Sequence, residues 1–390
     1  MARLALIWET YVPANRNSTR FQRAHSLTEN YDCAFYTRAD GGMPEEISIP
    51  ESAIHVCPGK SLVSHLLFPF WVVYRILVKD DASVDAVHTS YHLFCILAGF
   101  ICSLGGKIWI LDIWDHPRLK IEFLQKSEGI VWKMALMFYR AVYVVALLAM
   151  SHADLIVLSL HSQFAETNGL PGKKVVNVPN GTDLALYDDV QTETDDGFNI
   201  VYVGFVQPSR GIDTVIEALS DFDSTNDQWT ATIIGPATDG DERQLRRFAR
   251  RKNIAENVDF AGRLSHEETV RRIANSDACL YPFPRQRVLR YIYPIKLFEY
   301  MALGKPIVAS RLEGATELLE HDVTGLLVEP GDAEAFSEAL CRLSEDEDLR
   351  AEIGGNAARA VERYDWNGIN DRFIAAIDRC FASQDDFETE

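Results

Sequence analysis

The residues best suited to chemistry lie in one run of the C-terminal half, Tyr293-Pro294-Ile295-Lys296-Leu297-Phe298-Glu299, which continues through Leu303-Gly304-Lys305-Pro306. Proline at the first helical position and glycine at the far end predict a helix of about three turns. The opening N–H groups of a helix have no acceptor within it, so Ile295 and Lys296 offer a cradle for a diphosphate. Glu299 falls one turn further on, on the same side as Lys296 and Ile295. There a carboxylate accepts bonds from two vicinal hydroxyls, such as those of a ribose attached to that diphosphate. Upstream, Val201-Tyr202-Val203-Gly204 reads as a buried strand ending in glycine. Arg210-Gly211 then reads as the opening of the next helix, with a cation for the same phosphates.

The N-terminal half offers Trp109-Ile110-Leu111-Asp112-Ile113-Trp114-Asp115-His116-Pro117-Arg118, a strand followed by acidic and imidazole groups. Asp115 and His116 are placed to activate or orient an acceptor, because strand ends are where such groups work in an open α/β sheet. His88 and His92 are further candidates, and capping or core roles suit them as well. Arg16, Arg20 and Arg23 are spaced to share a helix face, where they would meet a phosphate or form a surface stripe.

These groups need a scaffold of alternating strands and helices. Strand candidates in the first half are Leu4–Trp8, Cys33–Thr37, Ala53–Cys57, Val84–His88, Lys107–Asp112, Asp154–Ser159 and Lys174–Val178, with helical stretches around 18–30, 61–79, 91–104, 128–151 and 160–168. A second series has strands at Phe198–Gly204, Trp229–Gly235, Val258–Gly262, Ala278–Pro282, Pro306–Ser310 and Gly325–Val328, closed by helices near 333–346 and 347–363. The expected fold is α/β: two doubly wound Rossmann-like domains facing each other across a cleft. Residues 1–183 form the first, 184–197 a polar linker and 198–365 the second. A helix over 366–382 is expected to pack back on the first domain, and 383–390 is an acidic tail with the composition of a disordered segment.

The chain of 390 residues carries a formal net charge of −19, which argues against nucleic acid as a partner. The charge is unevenly spread: residues 1–190 hold 16 Lys+Arg against 19 Asp+Glu, and residues 191–390 hold 22 against 38. Seven scattered cysteines without a C-x-x-C pair suit a reducing cytoplasm. Leu62–Val78 and Ile130–Met150 are long and apolar, but His65, Arg75, Lys133 and Arg140 interrupt them. They read as helices of a core or of a membrane surface, with Lys133 and Arg140 on one face toward headgroups.

In its motifs the chain resembles the family-4 glycosyltransferases, retaining enzymes of the GT-B fold. The resemblance rests on Ala153-Asp154-Leu155-Ile156-Val157-Leu158-Ser159, Pro179-Asn180-Gly181-Thr182-Asp183, Val203-Gly204, Arg210-Gly211, Pro294–Ser310, Thr324-Gly325-Leu326-Leu327-Val328 and Pro330-Gly331-Asp332, in that order. It implies that Glu299 holds the donor ribose, that Arg210 and Lys296 meet the diphosphate, and that the backbone of Arg263 and Leu264 faces the base. The strand-end glycines Gly204, Gly235 and Gly262 and the run Arg290, Tyr291, Pro294 and Ile295 complete the implied donor site.

Two positions depart from the family. Tyr291 stands where a glutamate often touches the donor sugar, and Phe205 stands where an arginine often follows the strand glycine. Arg285, Arg287, Arg290 and Lys296 are near enough in sequence to supply that charge. The implied activity is retaining transfer from a nucleotide-sugar to a glycan or lipid-linked acceptor at the cytoplasmic membrane face, with no cofactor or metal required. An epimerase or phosphorylase of similar shape, or a silent nucleotide-sugar-binding relative, are the competing readings.

Overall fold

The computed structural model describes residues 2–9, 11–13, 15–38, 43–59, 62–79, 83–116, 129–188, 190, 192, 197–223 and 228–388. Pro117 and Arg118 of the strand-end motif, linker residues 189, 191 and 193–196, and the last two residues of the tail lie outside them. The chain forms two compact units, Met1–Gly181 with Trp366–Glu390, and Thr182–Asp365.

The first unit is built on seven parallel strands: β1 (Arg3–Trp8), β2 (Asp32–Thr37), β3 (Ile54–Val56), β4 (Ala86–Ser90), β5 (Ile108–Ile113), β6 (Leu155–Leu158) and β7 (Val175–Asn177). Its helices are α1 (Thr19–Asn30), α2 (Leu62–Tyr74, running into a π turn at Arg75–Lys79), α3 (Leu93–Leu104), α4 (Ile130–Met150) and α5 (Gln163–Thr167). The sheet order is β3-β2-β1-β4-β5-β6-β7. The central strands are almost continuously apolar because helices bury both faces of a parallel sheet.

The second unit repeats the plan with β8 (Phe198–Val203), α6 (Ile212–Asp223), β9 (Trp229–Ile234), α7 (Asp239–Arg251), β10 (Val258–Gly262), α8 (His266–Ala274), β11 (Ala278–Tyr281), α9 (Ile295–Ala302), β12 (Ile307–Ser310), α10 (Glu313–Thr316), β13 (Leu326–Val328), α11 (Ala333–Glu345) and α12 (Glu347–Val361). Its order is β10-β9-β8-β11-β12-β13. Every strand expected from the sequence is present, and both sheets are doubly wound. Each reverses strand order once, at β1/β4 and at β8/β11, and such a switch point opens a crevice at the carboxyl ends of the strands.

Several expectations need correcting. Pro294 caps α9 from outside (φ −76, ψ 122) and the helix has 8 residues, nearer two turns than three. The last helix, α13, runs Trp366–Glu388, so the expected disordered tail is helical to Glu388. A helix already nucleated on a packed surface extends at little further cost, and Ser383–Glu388 hold no glycine or proline to stop it. The units part at Gly181/Thr182, two residues before the expected end of the first domain. There Thr182 N donates to Tyr364 O at 3.0 Å. Residues Leu184–Leu186 of the expected linker form a 3₁₀ turn, and Tyr187 is buried with its hydroxyl 2.9 Å from that of Thr182.

The helix α13 lies on the first unit. Trp366 Nε1 donates to Asn17 Oδ1 at 3.1 Å, and Tyr31 Oη donates to Asp378 Oδ1 at 2.6 Å. Beneath it sits a fully buried ion pair, Arg23 Nε to Asp112 Oδ2 at 3.1 Å, with the guanidinium 4.2 Å from the centre of the Phe373 ring. Arg23 also donates to Ser159 Oγ and to Val178 O, each at 3.1 Å. Burial pulls its pKa down, and Asp112 works against that. Arg23 is therefore neither a surface residue nor one that shares a phosphate-binding face with Arg16 and Arg20. The side chain of α1 at this position points into the core, where Asp112 offers the counter-charge.

Candidate functional site

At the β8/β11 switch the backbone is bare. Gly204 N donates to Ile234 O at 2.9 Å and Gly235 N to Gly262 O at 2.8 Å, which knits the three strand ends together. Gly235 takes φ 144°, and a Cβ there would lie 1.8 Å from Gly204 O. Gly262 has φ 68°, and after it Arg263 is exposed and Leu264 half-buried.

Arg210 does not open a helix. It closes a 3₁₀ turn, Pro208–Arg210, and Gly211 at φ 82° makes the left-handed step into α6. A Cβ on Gly211 would sit 1.9 Å from Pro282 O, so this turn is pressed against the end of β11. The guanidinium of Arg210 lies 4.9 Å from the centre of the Phe283 ring and 5.9 Å from that of Phe205. Among the described residues it has no carboxylate partner. Burial raises the phenols of Tyr202 and Tyr281, and the positive field of Arg210 pulls both back. A half-buried cation steered by aromatic faces keeps its N–H donors for an anion.

The helix α9 is fixed beside this strand end by Tyr300, whose hydroxyl accepts from Val203 N at 2.9 Å. The first intrahelical bond of α9 runs from Leu297 N to Pro294 O at 3.0 Å, so the N–H groups of Ile295 and Lys296 precede it. Glu299 is buried, 2% exposed, and Lys296 Nζ donates to its two oxygens at 2.8 and 2.7 Å. The structure thus brings Gly204, Tyr300 and α9 together at one strand end, with Arg210 at the same switch point.

The arginines expected to replace a missing charge are differently engaged. Arg285 pairs with Glu329 at 3.1 Å, Arg290 pairs closely with Glu313, and Arg287 is exposed. Tyr291 is buried with the Arg290 guanidinium 5.3 Å from its ring centre. Gly314 N donates to Arg290 O at 3.0 Å, and a Cβ on Gly314 would lie 1.9 Å from Ile292 O. The loop leading into α9 is therefore clamped on α10 and its Glu313.

In the first unit the sheet edge carries Glu9 after β1, Arg38 after β2, Tyr91 and His92 after β4, and Asp115 and His116 after β5. Tyr91 Oη donates to Asp115 Oδ2 at 3.5 Å, and burial together with Asp115 raises this phenol while Arg20 lowers it. Glu9 Oε1 lies 2.8 Å from His65 Nδ1 and 3.5 Å from Arg38 Nη1. His116 is buried, edge-on to Phe164 at 5.1 Å. His88 is a core residue that accepts from Trp8 Nε1 at 3.1 Å, and His92 caps α3 with its Nδ1 2.9 Å from Ser90 Oγ. Arg16 pairs with Glu46 at 3.0 Å, whereas Arg20 donates to Tyr11 O at 3.3 Å. Lys133 and Arg140 are exposed on α4.

Sequence reasoning passed over Glu9, Arg38, His65, Tyr91, Phe283 and Tyr300. All but His65 and Tyr300 lie within two residues of the end of a strand at or next to a switch point, a signal available once the strands are numbered. His65 and Tyr300 act from helices and leave no such trace.

Residues 187–360 match the family of glycosyl transferases group 1. The second unit is a group 1 glycosyltransferase domain. Its matched residues include every donor-side position described above. Across the chain, 28% of 202 residues are identical to the phosphatidyl-myo-inositol mannosyltransferase of Mycobacterium leprae, which covers 51% of this chain and 52% of that protein. The D-inositol 3-phosphate glycosyltransferase of Acidothermus cellulolyticus is 23% identical over 346 residues, 84% of this chain and 72% of its own length. The chain spans about half the length of the mannosyltransferase it matches. A crystal structure of HepE from Anabaena, in complex with UDP, superposes with a TM-score of 0.70 at 20% identity, over 97% of this chain and all of that one. That likeness gives the fold: two doubly wound domains in one chain, the GT-B architecture of glycosyltransferases.

Proposed function

We propose that this protein is a retaining, hexosyl-type glycosyltransferase that uses a UDP- or GDP-sugar and a glycan or lipid-linked acceptor. One observation carries the reading. Arg210, a cation without a carboxylate partner among the described residues, and the N-terminus of α9 stand at the two strands of one switch point, β8 and β11, in the unit that matches the family. A diphosphate placed there meets Arg210, the N–H groups of Ile295 and Lys296, and the ammonium of Lys296. Two of that ammonium's three donors go to Glu299 and the third is left for a phosphate oxygen. Glu299 holds the ribose diol, and the bare backbone at Gly204, Gly235 and Gly262 lets the nucleotide approach. Arg263 and Leu264 follow Gly262 on the base side, and Arg290, Tyr291 and Pro294 line the loop toward the sugar.

As the glycosidic bond breaks, its electron pair passes to the diphosphate oxygen, and the charge that grows there strengthens these contacts. The acceptor hydroxyl attacks the same face and yields its proton to the departing phosphate. Asp115 and His116, which follow β5 in the first unit, are the groups proposed to activate or orient that hydroxyl. The scheme draws its positive charge from Arg210, Lys296 and the helix N–H groups, and so calls for no cofactor or metal. Seven free cysteines suit a cytoplasmic site of action, at the inner face of the membrane.

The test is a screen of UDP-, GDP- and ADP-sugars for hydrolysis and for transfer, with the anomeric configuration of the product read by NMR. Retention is expected. Inversion, or release of an altered free sugar without acceptor, would replace this reading with another.

A further inference from the structure

Two helices of the first unit, α2 and α4, share an inverted surface. Along α2 and its π turn, Leu67, Phe70, Tyr74 and Val78 recur at helical spacing and are 51–72% exposed. Along α4, Trp132, Met134, Met137, Phe138, Val144, Val145 and Leu148 are exposed, while Tyr143, Ala146, Ala149 and Met150 are buried. The solvent side is thus the apolar side, the reverse of an ordinary surface helix. Both helices pack on α3, and they touch where Tyr139 Oη lies 3.1 Å from His65 Nε2.

The charges on this face are one-sided. Residues 62–79, 93–104 and 130–150 contain no Asp or Glu, and their charged residues are Arg75, Lys79, Lys133 and Arg140, in a chain of net charge −19. An apolar stripe on helices whose only charged side chains are cations complements an anionic lipid surface, where cations meet headgroups and apolar side chains enter the acyl boundary. A second copy of the same face would instead set these cations against one another.

We infer that the α2–α4 face seats the first unit on an anionic bilayer, lying in its interface without crossing it. This deepens the membrane-face clause of the proposed function by naming the surface, and it adds α2 to the contact. The helix α4 is long and apolar enough to cross a bilayer. Its inner flank, however, packs on α3 and buries Tyr143, Ala146 and Met150, and Tyr139 meets Phe94 of α3 edge-on and His65, so it cannot enter lengthwise without unpacking the unit.

Flotation of the full chain with vesicles tests this, using equal parts phosphatidylglycerol and phosphatidylcholine against phosphatidylcholine alone. The wild type is expected to float with the anionic vesicles. Reversing Arg75, Lys79, Lys133 and Arg140 to Glu should lower the bound-to-free ratio by at least about tenfold. Phe70→Ser with Val144→Ser should lower it too, with unchanged melting of each variant confirming the fold. Failure of the wild type to float, or flotation indifferent to both sets of changes, overturns the inference. So does retention on cell membranes through an alkaline carbonate wash, which would mean a span. A lipid-free dimer that the Ser variants dissociate would assign the face to a second copy and overturn it equally. Nucleotide binding without lipid is measured in parallel, and its failure would count against the glycosyltransferase reading alone.

Discussion

Lys296 and Glu299 close an ion pair inside α9, with Nζ 2.8 and 2.7 Å from the two carboxylate oxygens. The carboxylate is buried and the ammonium is partly open, at 3% and 32% side-chain exposure. On the proposed reading, a donor entering from the open side meets the ammonium first and finds the carboxylate already aimed.

Replacing Glu299 with Gln keeps the shape and removes the charge-assisted bonds. Each such bond is worth about 1.5–3 kcal/mol, so donor affinity should fall by roughly tenfold or more while the fold persists. Titration calorimetry with the nucleotide-sugar checks it. Near-normal affinity would remove Glu299 from the donor site.

Arg210→Ala should lower turnover more than it weakens binding of the free nucleoside, because the charge it meets grows toward the transition state. Phe283→Leu should have a milder effect of the same kind, since it frees the guanidinium from the ring 4.9 Å away. Equal losses for nucleoside and nucleotide-sugar would point to a structural role for Arg210.

Gly235→Ala forces a Cβ to within 1.8 Å of Gly204 O at φ 144°. Strain alone should cost about 1–3 kcal/mol, or roughly 2–4 °C in Tm per kcal/mol for a domain of this size. Gly240→Ala, in the first turn of α7 with its nearest neighbour at 3.8 Å, should instead be neutral or stabilising. Calorimetric scans should show a lowered Tm for Gly235→Ala and an unchanged or raised one for Gly240→Ala.

Asp112→Ala should destabilise the first unit by about 3–5 kcal/mol, because Arg23 would keep its buried charge without a counter-ion. The double change Arg23→Met, Asp112→Leu should recover most of that loss. Urea titrations followed by tryptophan fluorescence provide the comparison, and additive losses would mean the two residues do not act as a pair.

Burial pushes the Glu313 carboxyl up, but Arg290 and the backbone N–H more than offset this and hold its pKa below the ordinary value. A depressed folded-state pKa gives stability that is present above the unfolded pKa and lost as pH falls through the folded one. Arg290→Met should therefore lose most of its disadvantage relative to wild type on acidification through the carboxylate range. The effect should be modest, because Arg290 is 43% exposed. A gap between the two proteins that is constant with pH would exclude this linkage.

The sequence pattern carries all thirteen strands because parallel strands buried on both faces read as short apolar runs. The turn at Arg210-Gly211 and the helix after Pro294 are legible too, because a glycine at a left-handed step and a proline before a helix leave their mark on the sequence. What escaped is what depends on distant partners. Nothing near Arg23 in sequence announces Asp112, so a fully buried arginine reads like a surface one. Likewise, Arg290 looks available until Glu313, 23 positions on, is seen to hold it.

The helix α13 returns to the first unit after the whole second unit has intervened. During synthesis, Asn17, Tyr31 and the Arg23 guanidinium must therefore wait for partners encoded after the whole second unit. At translation rates of about 5–20 residues per second, that interval is on the order of 20–70 seconds. Meanwhile the second unit, contiguous in the chain, has all it needs to fold. The second unit is thus complete first, and the unit that precedes it on the ribosome finishes last.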